Sequence, residues 1–597
     1  MRILKVIVLQ SMHGRLGIGL VGTLFLTVIL WGGRGTAVAA DLESPWFTDV
    51  AAQAGIRHRH TNRSFKNQYA EIMQGYTALG AAVAVADYNG DGFEDIFATD
   101  SKESGKNWLY RNNGDWTFTE VGEAAGVAMG NDATNVSANA LWLDYNNDRR
   151  PDLLVVRFGY NQLFENLGNG TFKEVSEQAG LTKQYLNSIV AIAFDYDLDG
   201  DLDLVLGNYF QPTSLFNPPT AHFFPESFET ANNGGGLTLY RNNGDKTFTD
   251  VTDDAGLRLS GWTLDLGHSD VDHDGDDDLY VAADFGTDRF FVNNGDGTFT
   301  DHTEAAIGID TKKGMNADWG DFNHDGLFDM FVTNITDEYM REGNFLWQNN
   351  GDLTFSDVAR ETGTYDTGWG WAGKFLDYDN DSWLDLFVVN GWVSAGEKNY
   401  VVDVFKLIVT PGIDLSNATN WPPMGNKTLS GYQENCLFHN QGGTLFKNDA
   451  ARHGVNSKLD GRGVAVADFD NDGRLDMYVS NANNRPFLYR NVQPTGNHWV
   501  QFHMQSTVSN TLAIGTRLWL TADGQTQVGF VNGGNGFASQ STLRVHFGLA
   551  RAKRIDRLEV AWPSGIRQTY THVPVNRIHT VIEGQPQLQP FVAKVKP

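Results

Sequence analysis

Cysteine is nearly absent. Cys436 is the single one in 597 residues, so no disulfide within the chain can hold the fold. Positive charge is also scarce: 45 Lys and Arg stand against 73 Asp and Glu, a formal net charge of −28. That balance argues against nucleic acid as a partner. Beyond the first forty residues no apolar run is long enough to span a bilayer. A formal match to a dinucleotide fingerprint, "GIGLVG" at Gly17 to Gly22, lacks a following helix–strand unit and lies inside the apolar N-terminal run, which excludes it. Ser539 has no His–Asp arrangement near it in sequence, so nothing supports a nucleophilic triad, and no catalytic residue is assigned.

The N-terminus reads as an export signal. Arg2, Lys5 and Arg15 accompany the apolar run from Leu16 to Trp31, and "AVAA" at Ala37 to Ala40 supplies small residues for cleavage. Residues 1–40 are expected to be a signal peptide, with an uncleaved anchor as the alternative, and the protein to be secreted or held in the cell envelope. An exported chain without disulfides needs another staple, and external Ca²⁺ can provide one.

The residues for such a staple are present in quantity. "DYDLDGDLD" packs five carboxylates between Asp195 and Asp203. Like charges this close repel unless a cation sits among them. Asp195, Asp197 and Asp199 fall at loop positions 1, 3 and 5, Gly200 at the sharp bend, and Asp203 at position 9. An all-oxygen donor set of this kind suits Ca²⁺, and its length excludes an EF-hand. The pattern occurs seven times. The other six sets are Asp87, Asn89, Asp91 and Asp95; Asp144, Asn146, Asp148 and Asp152; Asp270, Asp272, Asp274 and Asp278; Asp321, Asn323, Asp325 and Asp329; Asp377, Asp379, Asp381 and Asp385; and Asp468, Asp470, Asp472 and Asp476. The loop from Asp144 is the poorest, because Arg149 replaces the bend glycine and Arg150 adds positive charge. Aspartates at these positions supply 25 of the 73 acidic residues; without them the balance would be 45 against 48. The acidity is mostly loop chemistry.

A second phrase alternates with the loops. "LYRNNGDWTFTEV" from Leu109 returns from Leu163, Leu239, Phe290 and Leu346, and in degraded form from Leu437. Asn-Gly and Gly-Asp between apolar strands signal hairpins. Each unit is therefore four strands, and repetition at this spacing describes the blades of a β-propeller. The last loop leads to "FLYRN" but to no closing strand, whereas "WFTDV" at Trp46 to Val50 stands alone at the other end. An N-terminal strand that completes the C-terminal blade would close a seven-bladed ring. The expected fold is thus all-β: a seven-bladed propeller over residues 41–492, a small β-domain over 496–583 with alternating strands, and a tail over 584–597.

The loops and phrases such as "GAAVAVADYNGDGFEDI" resemble the VCBS/FG-GAP repeats of integrin-α-type propellers. "AIGTRL" at Ala513, "FASQS" at Phe537, "VHFGL" at Val545 and "WPSG" at Trp562 resemble the signature of the ASPIC/UnbV domain. Together they resemble the cartilage acidic protein family. Literal FG-GAP tripeptides are poorly represented, and the Cys-rich module of animal members is absent, which sets a matrix role in doubt.

On a propeller, the Ca²⁺ loops and the "NNGD" hairpins share one face, and the remaining connections share the other. Both long insertions, Gln211 to Gly236 and Gly391 to Asn435, belong to the second face, and both are rich in aromatics, Pro and Gly. Long loops on a rigid scaffold are binding devices. The expected function is that of an exported calcium-binding recognition or adhesion protein that binds an extracellular protein or glycan through that face. The alternative is an enzyme acting on a carbohydrate or natural-product-type molecule in the central funnel, where Asn139, Asp265, Asn316, Asp318 and Lys374 are the polar candidates; a structural Asp318–Lys374 plug is the plainer reading. His58 and His60 are expected to be ordinary surface histidines.

Overall fold

The computed structural model describes residues 44–594 apart from Gln74; the signal peptide expected over residues 1–40 lies outside the described residues. Seven four-stranded antiparallel sheets follow one another along the chain. In blade 1, Val83–Ala86 is the inner strand and is followed outward by Asp95–Ala98, Trp108–Asn112 and Phe118–Glu120. The inner strands of blades 2 to 7 are Val136–Leu143, Leu186–Phe194, Trp262–Ser269, Asn316–Gly320, Gly370–Leu376 and Gly461–Ala467. Each inner strand packs against the next, and the seventh packs against the first, so the ring is closed. Inner strands are buried along their whole length, which is why they read as continuous small and apolar runs instead of alternating ones.

The closing strand comes from the other end of the chain. Phe47–Asp49 pairs antiparallel with Phe487–Asn491, Phe47 opposite Asn491 and Asp49 opposite Tyr489. Val50 N–H donates to Leu488 O at 2.8 Å and Val492 N–H to Trp46 O at 2.7 Å, extending the ladder at both ends. Phe47 is buried in the main core, and Asp49 pairs with Arg485 at 2.6 Å. His58 and His60 reinforce the same seam and are not surface residues. His58 lies between the Tyr110 and Tyr478 hydroxyls, at 2.8 and 3.2 Å, and stacks on Trp108. His60 is buried against Ser101 and accepts from Asn483 N–H. Burial pushes both imidazoles down to about 3, so they join blades 7 and 1 as neutral groups.

The C-terminal residues build two further four-stranded sheets. One contains Trp499–Gln505 and Ile578–Ile582 in parallel, the other Arg517–Ala522 between Gln525–Phe530 and Ile555–Ala561. This part sits on the propeller face that carries the aspartate loops. Its residues 532–541 enter the funnel: Ser539–Gln540 adds a short parallel strand to Val83–Ala86, and Gln540 donates to and accepts from the Trp142 backbone. No helix among the described residues is long and apolar enough to cross a membrane.

Candidate cation cages and the insertion face

Every loop is built the same way. The position-1 aspartate accepts the backbone N–H groups of positions 5 and 6, at 3.0 to 3.2 Å and 2.6 to 3.1 Å across the seven loops. Those bonds curl the chain around one carboxylate. The bend residue has positive φ throughout, which glycine adopts freely; Arg149 and Ser382 adopt it at 66° and 85° against the preference of any side chain.

The position-9 aspartate is fixed by a residue the sequence reading passed over, the asparagine ending each "LYRN" phrase. Its N–H donates to the aspartate at 2.6 to 2.9 Å. Its Nδ2 donates to the position-2 carbonyl of the preceding blade's loop at 2.7 to 3.1 Å. Asn112 reaches Phe469 O, Asn166 reaches Tyr88 O, and Asn242 reaches Tyr145 O; the relay continues until Asn491 reaches Tyr378 O. Seven asparagines thus link seven loops in one closed cycle. Recurrence of Asn at the same place in every unit, just before the hairpin, was the signal.

Four loops bring three carboxylates close enough to share an ion. They are Asp195, Asp197 and Asp199; Asp270, Asp272 and Asp274; Asp377, Asp379 and Asp385; and Asp468, Asp470 and Asp476. In the sixth blade Asp379 and Asp381 also converge with His439. The loops from Asp87, Asp144 and Asp321 carry Asn at position 3, which leaves carboxylates at positions 1, 5 and 9 and an amide in place of the fourth. Asn89 Oδ1, Asp197 Oδ1 and Asp470 Oδ1, all at position 3, are buried without a hydrogen-bond donor. Buried oxygens without donors, in an all-oxygen set, fit a hard divalent cation.

Burial raises these carboxyls. Asp195, Asp321 and Asp468 are pushed up to about 7, and Asp152 and Asp385 to about 8, in each case first by desolvation. The protein supplies some positive charge itself. Arg150 pairs with Asp148, Arg474 with Asp472, and Arg517 of the C-terminal part with Asp270. The Asp385 contact raises the His439 imidazole to about 9. The C-terminal part also reaches the loops through Gln501, which donates to Asp468 at 2.9 Å, and Thr511, which donates to Asp144.

The funnel candidates hold neighbouring inner strands together. Asp265 accepts Ala317 N–H at 2.8 Å, Asn316 donates to Gly373 O at 3.0 Å, and Asp318 accepts Phe375 N–H at 2.8 Å. Asn139 accepts the N–H of Ala140 beside a register shift in its own blade. Lys374 lies 3.4 Å from Asp318 and donates to Asn535 O of the entering loop. His268 N–H donates to Asn535 Oδ1 at 2.8 Å, while Gly533 N–H donates to His268 Nε2. The Ser539 hydroxyl is spent on Phe537 O at 2.9 Å. On the loop face the funnel is therefore filled by the chain itself.

The opposite face carries the insertions, and they meet. Ala418 N–H donates to Ala221 O, Phe223 N–H to Ser416 O, and Phe224 stacks on Trp421 with centroids 4.9 Å apart. A third segment joins them: Phe65 stacks on Phe216, Tyr69 meets Phe223 edge-on, and Tyr76 packs against Phe210. Three stretches far apart in sequence form one aromatic roof, which includes the helix Val401–Val409.

Comparison with known proteins agrees with this architecture. The FG-GAP-like repeat model matches residues 61–140, 144–206 and 270–332, and the ASPIC and UnbV model matches residues 506–588. The chain thus folds as a β-propeller with stretches similar to FG-GAP-like repeats, followed by a segment similar to the ASPIC and UnbV domain. The chain is also similar to the cartilage acidic proteins: it is 26% identical to cartilage acidic protein 1 of Xenopus tropicalis over 48% of this chain and 40% of that protein. The human cartilage acidic protein 1 is 23% identical over 51% and 41%. The chain thus matches about two fifths of the length of these curated relatives. Among solved structures, an Agrocybe aegerita lectin that recognises non-reducing terminal N-acetylglucosamine aligns over 68% of this chain and 86% of its own, at 17% identity and a TM-score of 0.33.

Proposed function

We propose that the protein is an exported, calcium-stabilised recognition protein that binds an extracellular protein or glycan through its insertion face. The division of labour between the faces carries this reading. One face is occupied by aspartate loops and the C-terminal domain, which Arg517, Gln501 and Thr511 tie to them. The other gathers three unrelated insertions into a single aromatic surface on a rigid ring. Calcium in the loops would neutralise carboxylates that burial otherwise penalises, and would fix the scaffold from which the insertions project. The relationship to cartilage acidic protein 1 supports an extracellular setting.

The test is capture of exported proteins and arrayed glycans by the full-length mature protein, with and without calcium. The variant Phe224→Ala/Trp421→Ala removes a stacked pair joining the two insertions and leaves the loops intact. Capture by wild type that is lost in the variant, at unchanged calcium content, supports the reading. Equal capture by wild type and variant refutes it.

A further inference from the structure

Beneath the aromatic roof lies a cavity of about 180 Å³. Its walls include Trp369, Trp392, Trp421 and Tyr339, and Val404 and Ile408 of the helix Val401–Val409 close it above. Trp369 and Trp392 lie against each other with centroids 4.6 Å apart. An enclosed apolar space of about 150 Å³ is already enough to hold a benzene-sized molecule.

Two charged side chains break the apolar lining, Asp284 and Lys313. Asp284, at the end of the second strand of blade 4, is half-buried and lines the cavity. Its Oδ2 accepts the hydroxyl of Tyr209, and among the described residues no donor reaches Oδ1. The only lysine in the lining, Lys313, is already engaged: Glu342 accepts its Nζ at 2.8 Å and its backbone N–H at 3.0 Å. Asp284, Lys313 and Glu342 together leave one uncompensated negative charge. The indole N–H groups of Trp369 and Trp392 are buried and have no hydrogen-bond partner among the described residues. The cavity therefore combines a single anionic acceptor with electron-rich ring faces, the complement of a cation on an apolar stem.

We propose that this cavity binds a small organic ammonium ion, with its aromatic or branched alkyl stem between the tryptophan walls and its charged head on Asp284. The inference rests on the recognition reading for the face concerned and deepens it by naming a ligand class. Desolvation raises the Asp284 carboxyl to about 6, which leaves it ionised above neutral pH. Burial, and next the charge of Asp284, drive the neighbouring Tyr76 phenol well above its ordinary range, so it stays neutral.

The test is titration of the full-length, calcium-loaded protein with 2-phenylethylamine, isopentylamine and tetramethylammonium, read by calorimetry and by tryptophan fluorescence. The neutral isostere 2-phenylethanol is the control. The amine should bind about tenfold or more tighter than the alcohol. Asp284→Asn should bring the amine down to the level of the alcohol while alcohol affinity stays within about twofold, which shows that the cavity still forms. Val404→Trp, which fills the space, should abolish both. Equal affinity for amine and alcohol, no effect of Asp284→Asn on the amine, or no binding of any ammonium probe at millimolar concentration overturns the proposal. Macromolecular capture by this face is a separate measurement, and its failure would leave the titration result unchanged.

Discussion

Phe47→Ala tests how the ring is closed. Phe47 is 3% exposed, packs near Tyr378 with centroids 5.9 Å apart, and belongs to the strand that pairs with Phe487–Asn491. Truncating a core phenylalanine costs about 3–5 kcal/mol, the lost transfer energy plus the cavity left behind. The closing strand is short, and Phe47, Asp49 and the flanking bonds to Leu488 and Trp46 dock it on blade 7. The loss should therefore appear as local opening of blade 7, before global unfolding. At about 1.4 kcal/mol per factor of ten, amides between Gly461 and Asn491 should exchange about a hundred- to a few-thousand-fold faster. Deletion of residues 41–52 should act in the same place and more strongly. Hydrogen exchange read by mass spectrometry locates the effect. Blades 2 to 5, each complete in its own stretch of sequence, should change little. Faster exchange confined to Gly55–Ala86, beside the altered strand in sequence, would refute the closure argument.

Other outcomes follow from the same structure. Without a cation, Asp195 holds its proton up to about pH 7 when folded, against about 3.8 unfolded. Its stabilising contribution is therefore complete below the unfolded value and lost as pH rises through 7, at a cost on the order of 4 kcal/mol for that carboxyl. The melting temperature of chelated protein should fall between pH 5 and pH 8 and that of calcium-loaded protein should not; a chelated protein indifferent to pH would contradict this. Lys374→Met removes the cation beside Asp318 and should cost about 3–5 kcal/mol in denaturant titration, with Lys374→Met/Asp318→Asn recovering part of it. An unchanged midpoint for the single variant would mean that the pair is not a structural bond. Among the loops, that from Asp144 should bind calcium most weakly; its filling before the loop from Asp195 would break the ligand-count argument.

The loops and the blade pattern were legible because their chemistry is local. Four donors and a bend residue lie within nine positions, and the chain repeats them seven times. Closure was legible because a missing strand at one end matched a spare strand at the other. The asparagine relay was hidden because Asn112 and its counterparts stand just before the hairpin residues, where Asn is also an ordinary turn residue. His58 and His60 were misplaced because nothing local in "HRH" indicates that tyrosines from blades 1 and 7 converge on it. The filled funnel was invisible for a similar reason. "NGGNGF" is a Gly-rich stretch between strands, and Gly533 and Gly536 lie where a side chain would collide with Ala193 O and Lys374. The cavity on the insertion face is assembled from Tyr76, Tyr209, Trp369 and Trp421, residues that share no period and meet only once the ring has formed.

The most direct test of the account is the calcium content of the folded protein. Protein stripped with chelator, reloaded in millimolar calcium and dialysed to constant free ion should retain between four and seven ions per chain by mass spectrometry. Four is the number of loops that converge three carboxylates, and seven is the number of loops built on the same bonds. Asp195→Asn/Asp197→Asn should remove one ion and leave the others. A folded protein that retains less than one ion, and melts at the same temperature in chelator as in calcium, would show that the aspartate loops are turns and not cation sites.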